Sequence, residues 1–334
     1  MTKTKAALLA GCGLLALSLA ATAQATQPTT TGPLGQGMTM YMQMGGNPGD
    51  GATLARQTGA ADAAHAFGIK VIEQFSAWNP ETMLDQFRQA MAARPTCIGI
   101  TGHPGDAAFD PLIAQAEKEG TLVTVGNTPL PTAEATYGAK GTGYAGVDLY
   151  IGGEITAQAM LAAGLKSGDE ALEYGVFNET TRSQSDRGLR DTLVKAGVKV
   201  TELNISPQVD SDSSLAVPIL VAFLESHPHL KAIGTQHGGV TGFIPQALRQ
   251  VGKQPGQIIV GGIDLAPSTI AGLQEKYITA TLDQQLYLQG FLPVTQCVLS
   301  SKYHFAGLNI NTGAGVETPA TIDALIPLIK RGIR

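Results

Sequence analysis

Cysteine, tryptophan and charge are all scarce in this 334-residue chain. There are three cysteines, Cys12, Cys97 and Cys297, too few for a disulfide framework or a thiolate metal centre. Trp78 is the single tryptophan, and aromatic residues make up 5% of the chain. Charged residues make up 15%, and the formal charge is −5 without basic clusters, which argues against a nucleic-acid binder. Beyond residue 20 no apolar run is long enough to span a bilayer. Motifs of chemistry are missing too. There is no G-x-S-x-G elbow, no H-E-x-x-H, no C-x-x-C and no P-loop. The glycine-rich GAKGTG at 138–143 follows no clear strand, so it does not read as a dinucleotide turn. His227-Pro228-His229 sits at a helix-to-strand turn without carboxylate or thiol company and reads as a solvent-facing turn. No catalytic residue, metal or cofactor is expected.

What is present begins with an export signal. Lys3 and Lys5 precede the apolar stretch Ala6–Ala20, and Ala21-Thr22-Ala23 is a small-x-small cleavage site. The expected division is a signal peptide over 1–23 and a flexible Pro/Gly tether over 24–37. Leu9-Ala10-Gly11-Cys12 resembles a lipoprotein box, but the apolar run continues past Cys12, so ordinary cleavage is the preferred reading. Removing Lys3 and Lys5 would take the charge from −5 to −7. Cys97 and Cys297 would then remain. Two buried thiols are the simpler reading, although an oxidising compartment would permit one bridge.

The rest alternates short apolar strands with amphipathic helices. Strands are expected at Met38–Met44, Ile69–Phe75, Cys97–Thr101 and Leu122–Val125, then at Tyr174–Phe177, Val198–Ile205, Ala232–Thr235, Ile258–Ile263 and Ile278–Leu282. Between the two runs, Pro131–Gly146 breaks the rhythm as a Gly/Thr-rich passage. Such alternation implies an α/β fold of two doubly wound lobes with parallel sheets covered on both faces. Ligands of such lobes sit beyond the carboxyl ends of the strands. The segments found there are polar: GGNPGDG, GHPGD, GNT, NETTRSQSDRG, QHGG, DLAP and DQQ.

Two stretches carry a family resemblance. GGID at 261–264 and ATLDQQLYLQGFLPV at 280–294, with NTGAGVETPATID at 311–323, resemble the ribose/galactose-type periplasmic sugar-binding proteins of ABC importers, the type I periplasmic binding proteins. The resemblance covers essentially the whole mature chain. It implies two lobes joined by a three-strand hinge, with crossings near Val147, Gln285 and Thr312. One lobe would be 38–147 plus 285–312, and the other 148–284 plus 313–334. It further implies a monomeric periplasmic protein that captures a sugar or polyol and hands it to a membrane permease. A periplasmic sensor for a chemoreceptor or sensor kinase, or an exported enzyme, is the alternative. The ligand contacts carried over are Asp50, Asn127, Arg187, His237, Asp264 and Gln284. Carboxylates, amides and guanidinium groups suit adjacent hydroxyls, because each engages two neighbours at once.

Alternatives stand beside these roles. Asp264 could cap the following helix, Arg187 could pair on the surface with Asp186, and Gln284 could satisfy hinge backbone groups. The chain also departs from the family. Gly51-Ala52-Thr53 stands where relatives place aromatics, so stacking on a sugar face would fall to Trp78, Tyr144 or Phe177. Gly238 stands where relatives have a second Asp.

Overall fold

A computed structural model describes residues 32–49, 51–313 and 315–334. The expected signal peptide and Cys12 lie outside them, as does Asp50. The strands are β1 (Thr39–Gly45), β2 (Lys70–Phe75), β3 (Cys97–Ile100), β4 (Leu122–Asn127), β5 (Tyr144–Gly146), β6 (Glu170–Gly175), β7 (Lys199–Asn204), β8 (Leu230–Gly234), β9 (Ile259–Ile263), β10 (Ala280–Asp283), β11 (Asn309–Asn311) and β12 (Gly315–Glu317). The helices are α1 (Gly51–Phe67), α2 (Pro80–Ala92), α3 (Asp106–Glu119), α4 (Pro131–Tyr137), α5 (Leu149–Ala162), α6 (Ser183–Lys195), α7 (Pro207–Ser211), α8 (Ala216–Ser226), α9 (Gly238–Gln250), α10 (Pro267–Gln274), α11 (Leu286–Tyr303) and α12 (Ile322–Ile329).

Two six-stranded sheets result, ordered β11-β5-β4-β3-β1-β2 and β12-β10-β9-β8-β6-β7. The first is parallel throughout. The second is parallel except that β12 runs antiparallel to β10, a departure from the purely parallel expectation. Central strands are buried on both faces, which is why Cys97–Ile100 reads as a continuous apolar run. Among the described residues the chain leaves one sheet for the other at 146–149 and 283–286, and again between β11 and β12. Val147, Ile263 and Leu282 form a small apolar cluster beside these passages.

Local signals explain most elements. Asn79 accepts the Thr82 N–H at 2.9 Å, and Pro80 occupies the first turn of α2. The inward face of α2 is Met83, Leu84, Phe87, Ala90 and Met91, the spacing seen in the sequence. Helix α3 stops at Gly120, whose φ is +80°. Three readings are corrected. The passage 131–146 is not irregular: it holds α4, a 3₁₀ turn at Gly138–Lys140 and the crossing strand β5. Strand β6 starts at Glu170, earlier than expected, because Glu170 and Glu173 interrupt the apolar pattern although Glu173 is fully buried. Cys97 and Cys297 are joined as a disulfide, tying β3 to α11 inside the first lobe's core.

Helix α1 lies unusually close to α11. A Cβ at Gly59 would meet the carbonyl of Tyr287, and one at Gly290 would meet the carbonyl of Arg56. Only glycine allows this approach. It places Arg56 against Gln289.

Candidate ligand-binding cleft

Side chains following the strands of both sheets enclose a chamber of about 130 Å³. From the first lobe come Arg56 on α1, Trp78 after β2, His103 after β3 and Asn127 at the end of β4. From the second come Arg182 before α6, Asp210 on α7, His237 before α9 and Asp264 after β9. Gln284 joins them from the second crossing. Trp78, Asn127 and Asp264 have φ of +61°, +64° and +72°, and Gln285 next to Gln284 has +50°. Such backbone costs about 1–3 kcal/mol per residue and persists where the surroundings enforce it.

The first wall is a directed chain of hydrogen bonds. Arg56 is buried and donates from Nη1 to the Met44 carbonyl at 2.6 Å and from Nη2 to Gln289 Oε1 at 3.3 Å. A guanidinium can only donate, so Gln289 must present its oxygen here. Asn127 Nδ2 donates to the same oxygen at 3.1 Å, so Asn127 Oδ1 faces His103 Nε2 at 2.7 Å. Nε2 therefore carries the proton, and Nδ1 is a bare acceptor with no partner among the described residues. Burial, reinforced by the charge of Arg182, pulls the His103 pKa down to about 3 and keeps the ring neutral. Burial also lowers the Arg56 pKa to about 10, with Asp264 opposing, so Arg56 stays a cation at neutral pH. The indole of Trp78 stacks on His103 at 4.8 Å and lies under Arg56 at 5.6 Å.

The second wall is an ion cluster. Arg182 makes a two-pronged contact with Asp210 at 2.9 and 3.0 Å and also reaches Glu179 at 2.9 Å. His237 Nδ1 accepts the Val240 N–H, capping α9, so its Nε2–H donates to Asp210 at 2.8 Å. Burial disfavours the Asp210 anion, yet the bonds from His237 and Arg182 hold its pKa well below the usual range. Burial likewise works against the Arg182 cation, but Asp210 and Glu179 raise its pKa.

Asp264 closes the far side. Its Oδ1 accepts from Gln284 Nε2 at 2.7 Å, and a Cβ at position 238 would run into Oδ2. Gly238 thus makes room for this carboxylate where a second acid would crowd it. Burial raises the Asp264 pKa, against the Gln284 bond and the charge of Arg56. Arg56 and Asp264 make no direct ion pair and line the same chamber from opposite lobes.

Gln289, fully buried on α11, connects the wall to the crossings. Its Nε2 donates to the Gln284 carbonyl at 3.3 Å, to Gln284 Oε1 at 3.4 Å and to Thr312 Oγ1 at 3.2 Å. One amide therefore touches Arg56, Asn127 and two of the three passages between lobes.

Asn127, His237, Asp264 and Gln284, named from sequence, line one chamber. Asp264 does not cap α10, whose cap residue is Ala266. Arg187 does not line the chamber: it donates to Ser183 Oγ at 3.1 Å and the Phe177 carbonyl at 3.4 Å. The arginines at the chamber are Arg56 and Arg182. Sequence reasoning missed both, together with His103, Asp210 and Gln289. Arg182 lies in the NETTR loop directly after β6, where the rule about strand ends points, whereas Arg187 is already one turn into α6.

Two α/β lobes linked by three passages, with polar side chains of both turned on one chamber, are the architecture of a two-lobed substrate-binding protein. The chain belongs to the family described as Periplasmic binding protein domain, matched over residues 48–300. It is 28% identical over 251 residues to the xylose/arabinose-binding protein XylF of Sulfolobus acidocaldarius, covering 72% of this chain and 61% of that protein. The chain thus spans less than two thirds of that relative's length. Its fold is similar to that of an ABC transporter solute-binding protein from Burkholderia graminis, solved with D-arabinose. There the TM-score is 0.74 at 22% identity, covering 86% of this chain and 96% of the other. A carbohydrate transporter protein from Acidothermus cellulolyticus, solved with myo-inositol, gives 0.73 at 18% identity, covering 89% and 99%.

Proposed function

We propose that this chain captures a neutral, polyhydroxylated small molecule, a monosaccharide or polyol, between its lobes and delivers it to an ABC permease. The observation that carries the reading is the placement of Arg56 and Asp264 on opposite walls of one chamber, with the Trp78 indole beside Arg56. A hydroxyl can donate to the carboxylate while its neighbour accepts from the guanidinium, and C–H faces can rest on the indole. Among the described residues, Arg56 and Arg182 are matched at the chamber by Asp210 and Asp264, which favours a neutral ligand over a charged one. Its volume of about 130 Å³ is below the ~300–1,000 Å³ of sites for larger organic ligands. The relatives named above carry xylose, arabinose and myo-inositol in their descriptions, all neutral polyhydroxylated molecules.

In this reading residues 1–23 direct export and are removed, and the monomeric product works in the periplasm. Residues 38–147 with 285–312, and 148–284 with 313–334, are the bodies that close on the ligand. The closed form is what the permease reads. A thermal-shift screen of pentoses, hexoses and polyols on the mature protein tests this. A ligand should raise the melting temperature with the logarithm of its excess, and Asp264→Ala and Gln284→Ala should abolish the rise. Full binding by both variants would refute the site.

A further inference from the structure

The chamber does not end at Trp78. A second hollow of about 280 Å³ adjoins it, and Trp78, Val176 and Asp210 line both. Its own walls again come from both lobes, with Asn79 on the first side and Asn178, Asn204 and Ser211 on the second. We propose that this annex is a second subsite, which takes a neutral glycosyl unit or alkyl glycoside joined to the ring held in the main chamber. The proposal rests on the sugar-binding reading above and extends it to ligands larger than one ring.

Three features select that class. The annex is about twice the volume of the chamber, so a single ring cannot fill both. Its lining includes two carboxylates, Glu179 and Asp210, and among the described residues no lysine or arginine, which disfavours a phosphate or carboxylate substituent. Amide and hydroxyl groups at the rim, with Trp78 and Val176 forming the apolar threshold, match the mixed faces of a second sugar ring. Asp210 is held by Arg182 and His237 in an orientation that both spaces share.

The test is calorimetric titration of the mature protein with D-xylose, L-arabinose and D-arabinose, and with the matching disaccharides and methyl glycosides. The inference expects at least one disaccharide or glycoside to bind tenfold tighter than its own monosaccharide. Asn178→Trp, at an exposed position of the annex, should cancel that gain and leave monosaccharide affinity within twofold. Ser211→Trp, also exposed, is the second filling variant and should do the same. If monosaccharides bind and every extended ligand binds equally or more weakly, the annex is only a solvent-filled mouth and the inference fails while the sugar reading stands. If the gain survives both tryptophan variants, the extension lies elsewhere and the inference also fails. Absence of binding by every sugar would overturn the parent reading, and the annex with it.

Discussion

Removing the amide of Gln289 should damage binding and stability together. Gln289→Leu keeps the volume roughly constant but strands Arg56 Nη2 and Asn127 Nδ2 on one side, and frees Gln284 and Thr312 on the other. A buried polar group left without its partner costs about 1–3 kcal/mol, and two donors lose their shared acceptor. Part of this is offset by the apolar side chain, so a net loss of about 2–4 kcal/mol is expected. Urea unfolding would read it as a lower midpoint. Ligand affinity should fall at least tenfold, because Asn127 loses the acceptor that orients it and, through it, His103. Gln289→Glu separates the two roles. A carboxylate still accepts from Arg56 and Asn127 but has no donor for Gln284, so the wall is kept and the link to the crossings is lost. That variant should bind measurably yet show an altered ligand-induced change of shape by small-angle scattering. Wild-type midpoint and affinity in Gln289→Leu would refute the idea that this amide organises the site.

Three other outcomes follow from the same geometry. Arg182→Ala should weaken ligand binding by about 2 kcal/mol or more, near thirtyfold, whereas Arg187→Ala should change it less than twofold; equal effects in a titration would contradict the assignment. Glu173 has no donor among the described residues and faces Asp186, so it keeps its proton. Burial, then the charge of Asp186, lifts its pKa well above 4.5, and burial lifts that of Asp186 to about 6. The folded state therefore holds more protons than the unfolded one, and stability should fall as pH rises from about 4.5 toward the folded pKa, by up to about 1.4 kcal/mol per unit per proton. Glu173→Gln, which can donate permanently to Asp186, should flatten that slope in unfolding measured from pH 5 to 8; an unchanged slope would count against a protonated Glu173. Finally, the Cys97–Cys297 bridge spans 200 residues, and its loss in the double Cys97→Ala, Cys297→Ala variant should cost about 2–5 kcal/mol in guanidinium unfolding. An identical midpoint for the variant and the oxidised protein would show that the bridge adds nothing.

The parts of the molecule that were legible in the sequence are those set by short-range rules. The α2 cap at Asn79, the stop at Gly120 and the alternating apolar runs all follow from local chemistry. Strand β5 was hidden because three residues carry too little pattern, and its pairing with β4 and β11 is purely long-range. Strand β6 was misplaced because a buried glutamate looks like a surface residue until its neighbours are known. In the cleft, residues directly after strands were accessible to reasoning, as Asn127, His237, Asp264 and Gln284 illustrate. Arg56 was not, because it sits within an alanine-rich helix and reaches the chamber only through the glycine-mediated approach of α1 to α11. The disulfide also needed three dimensions: nothing in the spacing of two cysteines says that their Cα atoms come within 6.0 Å.

Because Trp78 is the chain's single tryptophan and lines the chamber, its fluorescence reports on the central claim without any label. Titrating the mature protein with a pentose or polyol that raises its melting temperature should give a saturable change in intensity or emission wavelength. Its midpoint should match the calorimetric Kd, and Asp264→Ala should abolish it. Tight binding by calorimetry with no change at Trp78 would place the ligand outside this cleft and contradict the account.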